Sequence, residues 1–446
     1  MKKIVLLVII IGFCSCNNSD DNETASMSFD FLGELDWVQS FGGSGEDTAQ
    51  SIIQTSDGGY AVLGFTNSTD GDLAGKSLNV NDYWLLKFDV DGNLQWNKTY
   101  GGSKDDRGQS VIQTNDGGYA IVGYAMSDDG DGSNNEGFHD NWILRLDASG
   151  TILWEKSFGF SGHDHSYDVV QTSDGGFFFS GFLDVTSSEG EGNTGKSPYL
   201  TRHGVGEFWG TRLDANGDLI WRRYFGGTNN DRSFGVVEAN DGGLVMVGAS
   251  ESDDFDISNS KGSYDFWVVK VSAKGEMLWE KSFGGTGIDK AYAVVKTQDN
   301  AYAVVGNTFS VDTDISKNNG ESDVWLIKVS DSGDLLWEKT FGGTAFDAAR
   351  GLGTTADGGF VIAGNSKSLD GNATQNNGEN DLWIIKTDAE GNVLFEKSFG
   401  GADLDFGFDA LEDAEGNLVL VGESSTALSP NKEHQGSTDL VILRIK

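Results

Sequence analysis

The sequence predicts an all-β fold, a seven-bladed β-propeller with four antiparallel strands per blade, and three observations carry that expectation. A Gly-Gly-Ser/Thr-type block followed by Asp begins at Gly42 and recurs at Gly101, Gly159, Gly226, Gly284, Gly342 and Gly400, in steps of 59, 58, 67, 58, 58 and 58 residues. A fixed period of this length marks a repeat architecture and overrules a domain count taken from length. Each repeat also contains four short runs of strand character, which in repeat 2 are Gln109 to Thr114, Tyr119 to Tyr124, Asn141 to Asp147 and Thr151 to Phe158. Asn115-Asp116-Gly117-Gly118 and Ala148-Ser149-Gly150 between them supply the positive φ of hairpin turns. Finally, repeat 7 ends at Lys446 after three strands, while Gly33-Glu34-Leu35-Asp36-Trp37-Val38-Gln39-Ser40-Phe41 matches the fourth strand of repeat 5 around Gly333 to Phe341. The N-terminal strand is therefore expected to complete blade 7, which closes the ring and pairs edges that otherwise invite aggregation.

The aromatic pattern belongs to this core. All twelve tryptophans fall at two repeat positions, Trp84, Trp142, Trp209, Trp267, Trp325 and Trp383 on the third strand and Trp37, Trp96, Trp154, Trp221, Trp279 and Trp337 on the fourth. A ring repeated in nearly every blade is expected to pack between blades. Asp82, Asp140, Asp265, Asp323, Asp381 and Asp439, just before the third strand, read as turn or strand-end caps.

Composition narrows the functional classes. The chain has 446 residues and a formal charge of -38, which repels phosphate backbones and argues against a nucleic-acid partner. With 37% hydrophobic residues it is too apolar to be a disordered acidic chain. Both cysteines, Cys14 and Cys16, lie in the first sixteen residues, so the propeller has no disulfide, thiolate metal ligand or cysteine nucleophile.

Lys2 and Lys3 precede an apolar run from Ile4 to Phe13 that is too short for a bilayer span and reads as a signal peptide. Phe13-Cys14-Ser15-Cys16 resembles the lipobox of bacterial lipoproteins, with Phe13 where Leu is usual. That resemblance implies cleavage before Cys16, its lipidation, and an anchor in the membrane. Asn17-Asn18-Ser19-Asp20-Asp21-Asn22-Glu23 resembles the surface-export tether of Bacteroidota-type lipoproteins. The expected organisation is a signal peptide over 1–15, an acidic tether over 16–32 and the propeller over 33–446. The repeats resemble those of β-propeller lipoproteins and secreted proteins of Bacteroidota, a resemblance that implies architecture and an outer-membrane, surface-exposed location, with a periplasm-facing one as the alternative.

Two motifs invite misreading. Gly190-Glu191-Gly192-Asn193-Thr194-Gly195-Lys196-Ser197 has the Walker A spelling, but Pro198 follows and no helical period comes after it. Asp331-Ser332-Gly333-Asp334-Leu335-Leu336-Trp337 resembles repeats of quinone-cofactor dehydrogenase propellers, whose vicinal cysteines are missing here. No cofactor is expected.

Two polar features could carry function. Five repeats contain Ser-x-Asp-x-Asp/Asn between strands two and three, giving Asp70 with Asp72, Asp129 with Asp131, Asp254 with Asp256, Asp312 with Asp314, and Asp370 with Asn372. Such carboxylates are candidate Ca²⁺ ligands, or else the acceptors of Asx turns. Repeat 3 also carries the extra length of the 67-residue step and concentrates His163, His165 and His203. Directly after the repeat Asp the series runs Thr48, Arg107, His165, Arg232, Lys290, Ala348, Phe406, which places four potentially basic side chains of blades 2 to 5 at the central mouth. Arg107, His163, His165, His203, Arg232 and Lys290 are the candidate ligand-binding residues, with local pairing to Asp106, Asp164, Asp231 or Asp289 as the alternative.

The expected function is a lipid-anchored, monomeric envelope propeller that is not an enzyme and acts as a binding or scaffold module for a glycan, peptide or envelope protein. The alternatives are a purely structural envelope protein and, third, a propeller enzyme. Replacing Cys16 by Ala is expected to abolish metabolic lipid labelling and release the protein from the membrane fraction; labelling that persists would overturn the anchor assignment.

Overall fold

In the computed structural model, residues 31–185, 188, 206–429 and 433–446 are described, and they form seven four-stranded antiparallel sheets arranged as the blades of a ring. The expected signal peptide, most of the tether, Cys14, Cys16, His203 and the Gly190 to Ser197 motif lie outside the described residues. Six sheets use four consecutive strands. Blade 2 is typical, with strands Asp106–Gln113, Tyr119–Ala125, Asp140–Leu146 and Ile152–Phe158, within three residues of the expected bounds. Blade 7 combines Asp405–Glu412, Leu418–Ser424 and Asp439–Ile445 with Leu35–Phe41 from the other end of the chain. The joining register runs from Leu35 opposite Ile445 to Phe41 opposite Leu440, so the split-blade closure holds.

The tryptophans fill the seams between blades. Those of the third strands are at most 1 % exposed. The residue preceding such a Trp meets the Trp of the next blade: ring centroids are 4.9 Å apart for Tyr83 and Trp142, 4.7 Å for Phe208 and Trp267, and 4.5 Å for Phe266 and Trp325. The indole N–H groups of Trp142, Trp267, Trp325 and Trp383 donate to a glutamate of the adjoining fourth strand, as in Trp142 to Glu155 at 2.9 Å and Trp325 to Glu338 at 3.0 Å, and that of Trp84 to Asn97 at 3.2 Å, since a buried N–H favours an acceptor. Fourth-strand tryptophans lie under the turn of the following blade. Trp37 sits so close below Gly92 (φ +80) that a Cβ there would approach its ring to 2.6 Å. Phe41 packs against Phe88 of blade 1 with ring centroids 5.3 Å apart, so the N-terminal strand seals a seam as well as a sheet edge.

Each blade opens with one fully buried carboxylate. Asp47, Asp106, Asp164, Asp231, Asp289, Asp347 and Asp405 are all 0 % exposed. Each accepts the amide N–H four residues earlier, as in Gly285 to Asp289 at 2.8 Å and Gly343 to Asp347 at 2.8 Å. Hydroxyls of the second strand and the loop after it add to this, for instance Ser68 to Asp47 at 2.7 Å and Ser310 to Asp289 at 2.8 Å. The opening Asp of the preceding blade's third strand, or Glu207 at Gly226, lies across the glycine just before that amide. At Gly101 a Cβ would come within 2.3 Å of Asp82 and 2.9 Å of Asp106, so only glycine lets the two carboxylates approach.

This arrangement has a pH signature. Burial, the largest cause, pushes Asp82, Asp265 and Asp323 up to about 6, and the facing Asp106, Asp289 and Asp347 add to the rise. Burial likewise pushes Asp231 to about 6 and Asp409 to about 7. A carboxyl whose pKa is higher folded than unfolded takes up protons on folding. Its stabilisation is complete below the ordinary 3.8 and is lost as pH rises through about 6 to 7. Asp116 and Asp174 act oppositely: hydrogen bonds from Thr114 and Thr172, with Arg145 and Arg212, hold them below 3.8, and their contribution is lost only in stronger acid.

Two outcomes are expected. Chemical denaturation is to give a more stable protein at pH 5 than at pH 7.5, whereas equal or greater stability at pH 7.5 would contradict the raised carboxyls. Phe41→Ala is to cost about 3–5 kcal/mol, against less than about 0.5 kcal/mol for the exposed Leu153→Ala. Equal, small costs for both would make the N-terminal strand a dispensable tail.

Candidate functional site

A β-bulge in the innermost strand of every blade builds the central channel. The pairing register slips across one residue near the start of that strand, at Ala49/Ser51, Gly108/Ser110, Ser166/Asp168, Ser233/Gly235, Ala291/Ala293, Ala349/Gly351 and Gly407/Asp409. The skipped residues are Gln50, Gln109, Tyr167, Phe234, Tyr292, Arg350 and Phe408, and these seven side chains together line one constriction of the channel. A bulge re-aims the residue it leaves unpaired, and here it turns one side chain per blade towards the axis. Tyr167, Phe234 and Tyr292 form a continuous arc with ring centroids 5.0 and 5.2 Å apart.

On the side of the strand starts, the channel widens into a mouth. Between blades 5 and 7 it holds a cavity of about 550 Å³ walled by Phe309, Phe346, Phe406 and Phe408, with Lys290 and Arg350 among its polar groups. That volume and mix of apolar walls with a few convergent polar groups suit a small ligand or a peptide segment.

The cations of the mouth lie on aromatic rings. Arg232 sits 4.6 Å over Phe182, Lys290 4.5 Å over Tyr264, and Arg350 4.3 Å over Tyr292. None of these three makes an ion pair among the described residues. Arg107, 4.9 Å over Phe65, does: its Nε lies 3.1 Å from Asp105. The expected alternative of pairing to the repeat aspartates does not hold, since those carboxylates are taken by backbone amides and hydroxyls. Burial, followed by Arg232 and Arg350, holds Lys290 below the usual lysine value.

His165 departs from the expected basic series. Burial, then His139 and His163, hold it down at about 3, so it is neutral at the mouth. Its ring stacks on Tyr124 at 3.8 Å and meets His139 at 5.1 Å. His163 is brought to the same place, with its Nδ1 3.0 Å from His139 Nδ1. His203 lies outside the described residues.

The Ser-x-Asp-x-Asp/Asn loops fold back onto the glycine blocks. Asp70, Asp129, Asp254, Asp312 and Asp370 accept the N–H of Ser44, Ser103, Thr228, Thr286 and Thr344 at 2.7 to 2.9 Å. Asp72, Asp131, Asp256, Asp314 and Asn372 accept the N–H of Gly42, Gly101, Gly226, Gly284 and Gly342 at 2.9 to 3.3 Å. Backbone hydrogen bonding accounts for the two-apart spacing of these side chains.

Three functional residues are absent from the sequence reading: His139, Arg350 and Tyr292. The last two are bulged residues of the innermost strands, and alignment of that one position across the seven repeats, rather than strand alternation, is the signal that finds them.

No protein-family model matches the chain. A stretch of 175 residues, 36% of this chain, is 26% identical to the regulatory protein FlaEY of Caulobacter vibrioides, and it spans 18% of that protein's length. Among solved structures, BamB from Moraxella catarrhalis superposes with a TM-score of 0.39 at 12% identity, covering 91% of this chain and 85% of BamB. A puromycin hydrolase superposes with a TM-score of 0.47 at 12% identity, covering 86% of this chain and 51% of the hydrolase. These likenesses concern the fold alone. The expectation that the chain is not an enzyme is corrected: structures described as a puromycin hydrolase and as glucose dehydrogenases are among these likenesses, and a propeller architecture decides no chemistry either way.

Proposed function

We propose that the protein is a lipid-anchored binding propeller of the bacterial cell envelope, exposed on the outer membrane, that captures an anionic and partly apolar ligand at its channel mouth. The observation that carries the ligand class is the pairing of Lys290 and Arg350 with phenylalanine walls in one cavity of about 550 Å³. In a chain of formal charge -38, two cations that make no ion pair among the described residues, in a largely apolar cavity whose one carboxylate is that of Glu423, are poorly explained by solubility, which further acidic residues would serve as well. Each lies on an aromatic ring that holds it in place, so little side-chain freedom is lost on binding. A peptide segment of an envelope protein, carrying a carboxylate next to an aromatic or aliphatic side chain, satisfies both halves of the cavity.

A peptide array of acidic, acidic-aromatic and basic sequences tests the assignment. Acidic-aromatic peptides are expected to bind best, with affinity falling as salt rises. Lys290→Ala and Arg350→Ala are each to weaken binding about tenfold, while Lys98→Ala on an outermost strand leaves it unchanged. Binding that is indifferent to both mouth variants would overturn the site.

A further inference from the structure

We propose that His139, His163 and His165 bind one divalent transition-metal ion of the Zn²⁺, Cu²⁺ or Ni²⁺ class at the seam between blades 2 and 3. The three imidazoles offer nitrogens that all lie within 4.8 Å of one another. This proximity is built by the backbone. His139 precedes the third strand of blade 2 and His163 the first strand of blade 3, and the two residues form a parallel bridge across the seam. Asp164 N donates to His139 O at 2.7 Å and Phe138 N to Gly162 O at 3.0 Å. His165 follows on the innermost strand, its ring clamped between Tyr124 at 3.8 Å and Phe182 at 4.6 Å.

Metal-to-imidazole bonds of about 2.0–2.1 Å place tetrahedral ligand nitrogens about 3.3 Å apart. The Nδ1 atoms of His139 and His163 already stand 3.0 Å apart. His163 is exposed on the outer side, so rotation of its ring, with small shifts of the other two, closes the set. An N–H···N hydrogen bond between two neutral imidazoles would explain that single contact, but it leaves the third ring unexplained. His165 Nε2 is buried without a hydrogen-bond partner, although Nδ1 of the same ring reaches Tyr167 Oη at 3.3 Å.

The surroundings of His139 fit a ligand rather than a packing residue. Its Nε2 faces Asp105 Oδ2 at 3.6 Å, and Asp105 is itself fixed by Arg107 and Asn81. A carboxylate behind the distal nitrogen orients a metal-bound imidazole and raises its basicity. An all-imidazole set selects late first-row ions over Ca²⁺ and Mg²⁺, which demand oxygen. Three protein ligands leave a further coordination position for water or for a donor atom of a bound ligand. The inference is independent of the cavity proposed for an anionic ligand between blades 5 and 7.

The test uses the full chain without an affinity tag, with Cys14 and Cys16 alkylated, titrated with Co²⁺ and followed by visible absorbance, then displaced with Zn²⁺. The expected result is saturation at one equivalent per chain. His139→Gln and His165→Gln are to weaken binding at least about 100-fold, Asp105→Asn about tenfold, and His434→Gln is to change nothing. Wild-type crystals soaked in Zn²⁺ provide a readout that does not depend on variants folding, with an anomalous peak expected between the three rings. Absence of that peak, or Co²⁺ binding retained in both histidine variants, would overturn the site.

Discussion

The fold rests on one buried carboxylate per blade, the aspartate that opens each innermost strand. An ionised carboxyl removed from water is costly unless its oxygens are filled. Here the amide of the glycine block and hydroxyls of the second strand and its following loop fill them. The same bonds tie the loop arriving from the previous blade to the strand that begins the next. Chain connection, blade spacing and the shape of the channel mouth therefore follow from a single repeated contact. Because the partner carboxylate of the preceding blade lies across the glycine, the contact also makes the seams sensitive to protonation.

The innermost bulge converts this regular frame into an asymmetric surface. Every blade has the same register slip, yet the side chain exposed by it differs: glutamine in blades 1 and 2, aromatic rings in blades 3, 4, 5 and 7, arginine in blade 6. Repetition supplies the geometry, and substitution at a position free of packing duties supplies chemistry. Arg350 illustrates the consequence, since it lies on the ring face of Tyr292, the bulged residue of the preceding blade, at the rim of an apolar cavity.

Architecture was legible in the sequence because its signals are periodic. The spacing of the glycine blocks, the twelve tryptophans at two repeat positions and the truncated last repeat each report on every blade, so Trp37 and Phe41 could be placed against the C-terminal strands. Side-chain convergence was less legible. His139 belongs to a different repeat from His163 and His165, and only the seam brings them together. Arg350 and Tyr292 reach the channel through a bulge, which leaves no mark in an apolar-polar alternation. The neutral state of His165 also depends on burial among Tyr124, Phe182 and two other imidazoles, a property of the assembled mouth rather than of the repeat. The bonding of the acidic loops was not legible: their carboxylates reach the first and third amides of a glycine block 26 to 30 residues away, as Asp72 does Gly42 and Asp70 does Ser44, rather than closing local turns.

Amide hydrogen exchange at the glycine blocks tests the central role of the buried aspartates most directly. The amides of Gly285, Gly343 and Gly401, each bonded to the carboxylate four residues on, are expected to exchange as slowly as those of the innermost strands. In Asp347→Ala, Gly343 and the loop through Phe346 are expected to lose that protection while the blade 1 and blade 2 strands keep theirs. Fast exchange at these glycines in the wild-type chain, or unchanged protection at Gly343 in the variant, would contradict the account.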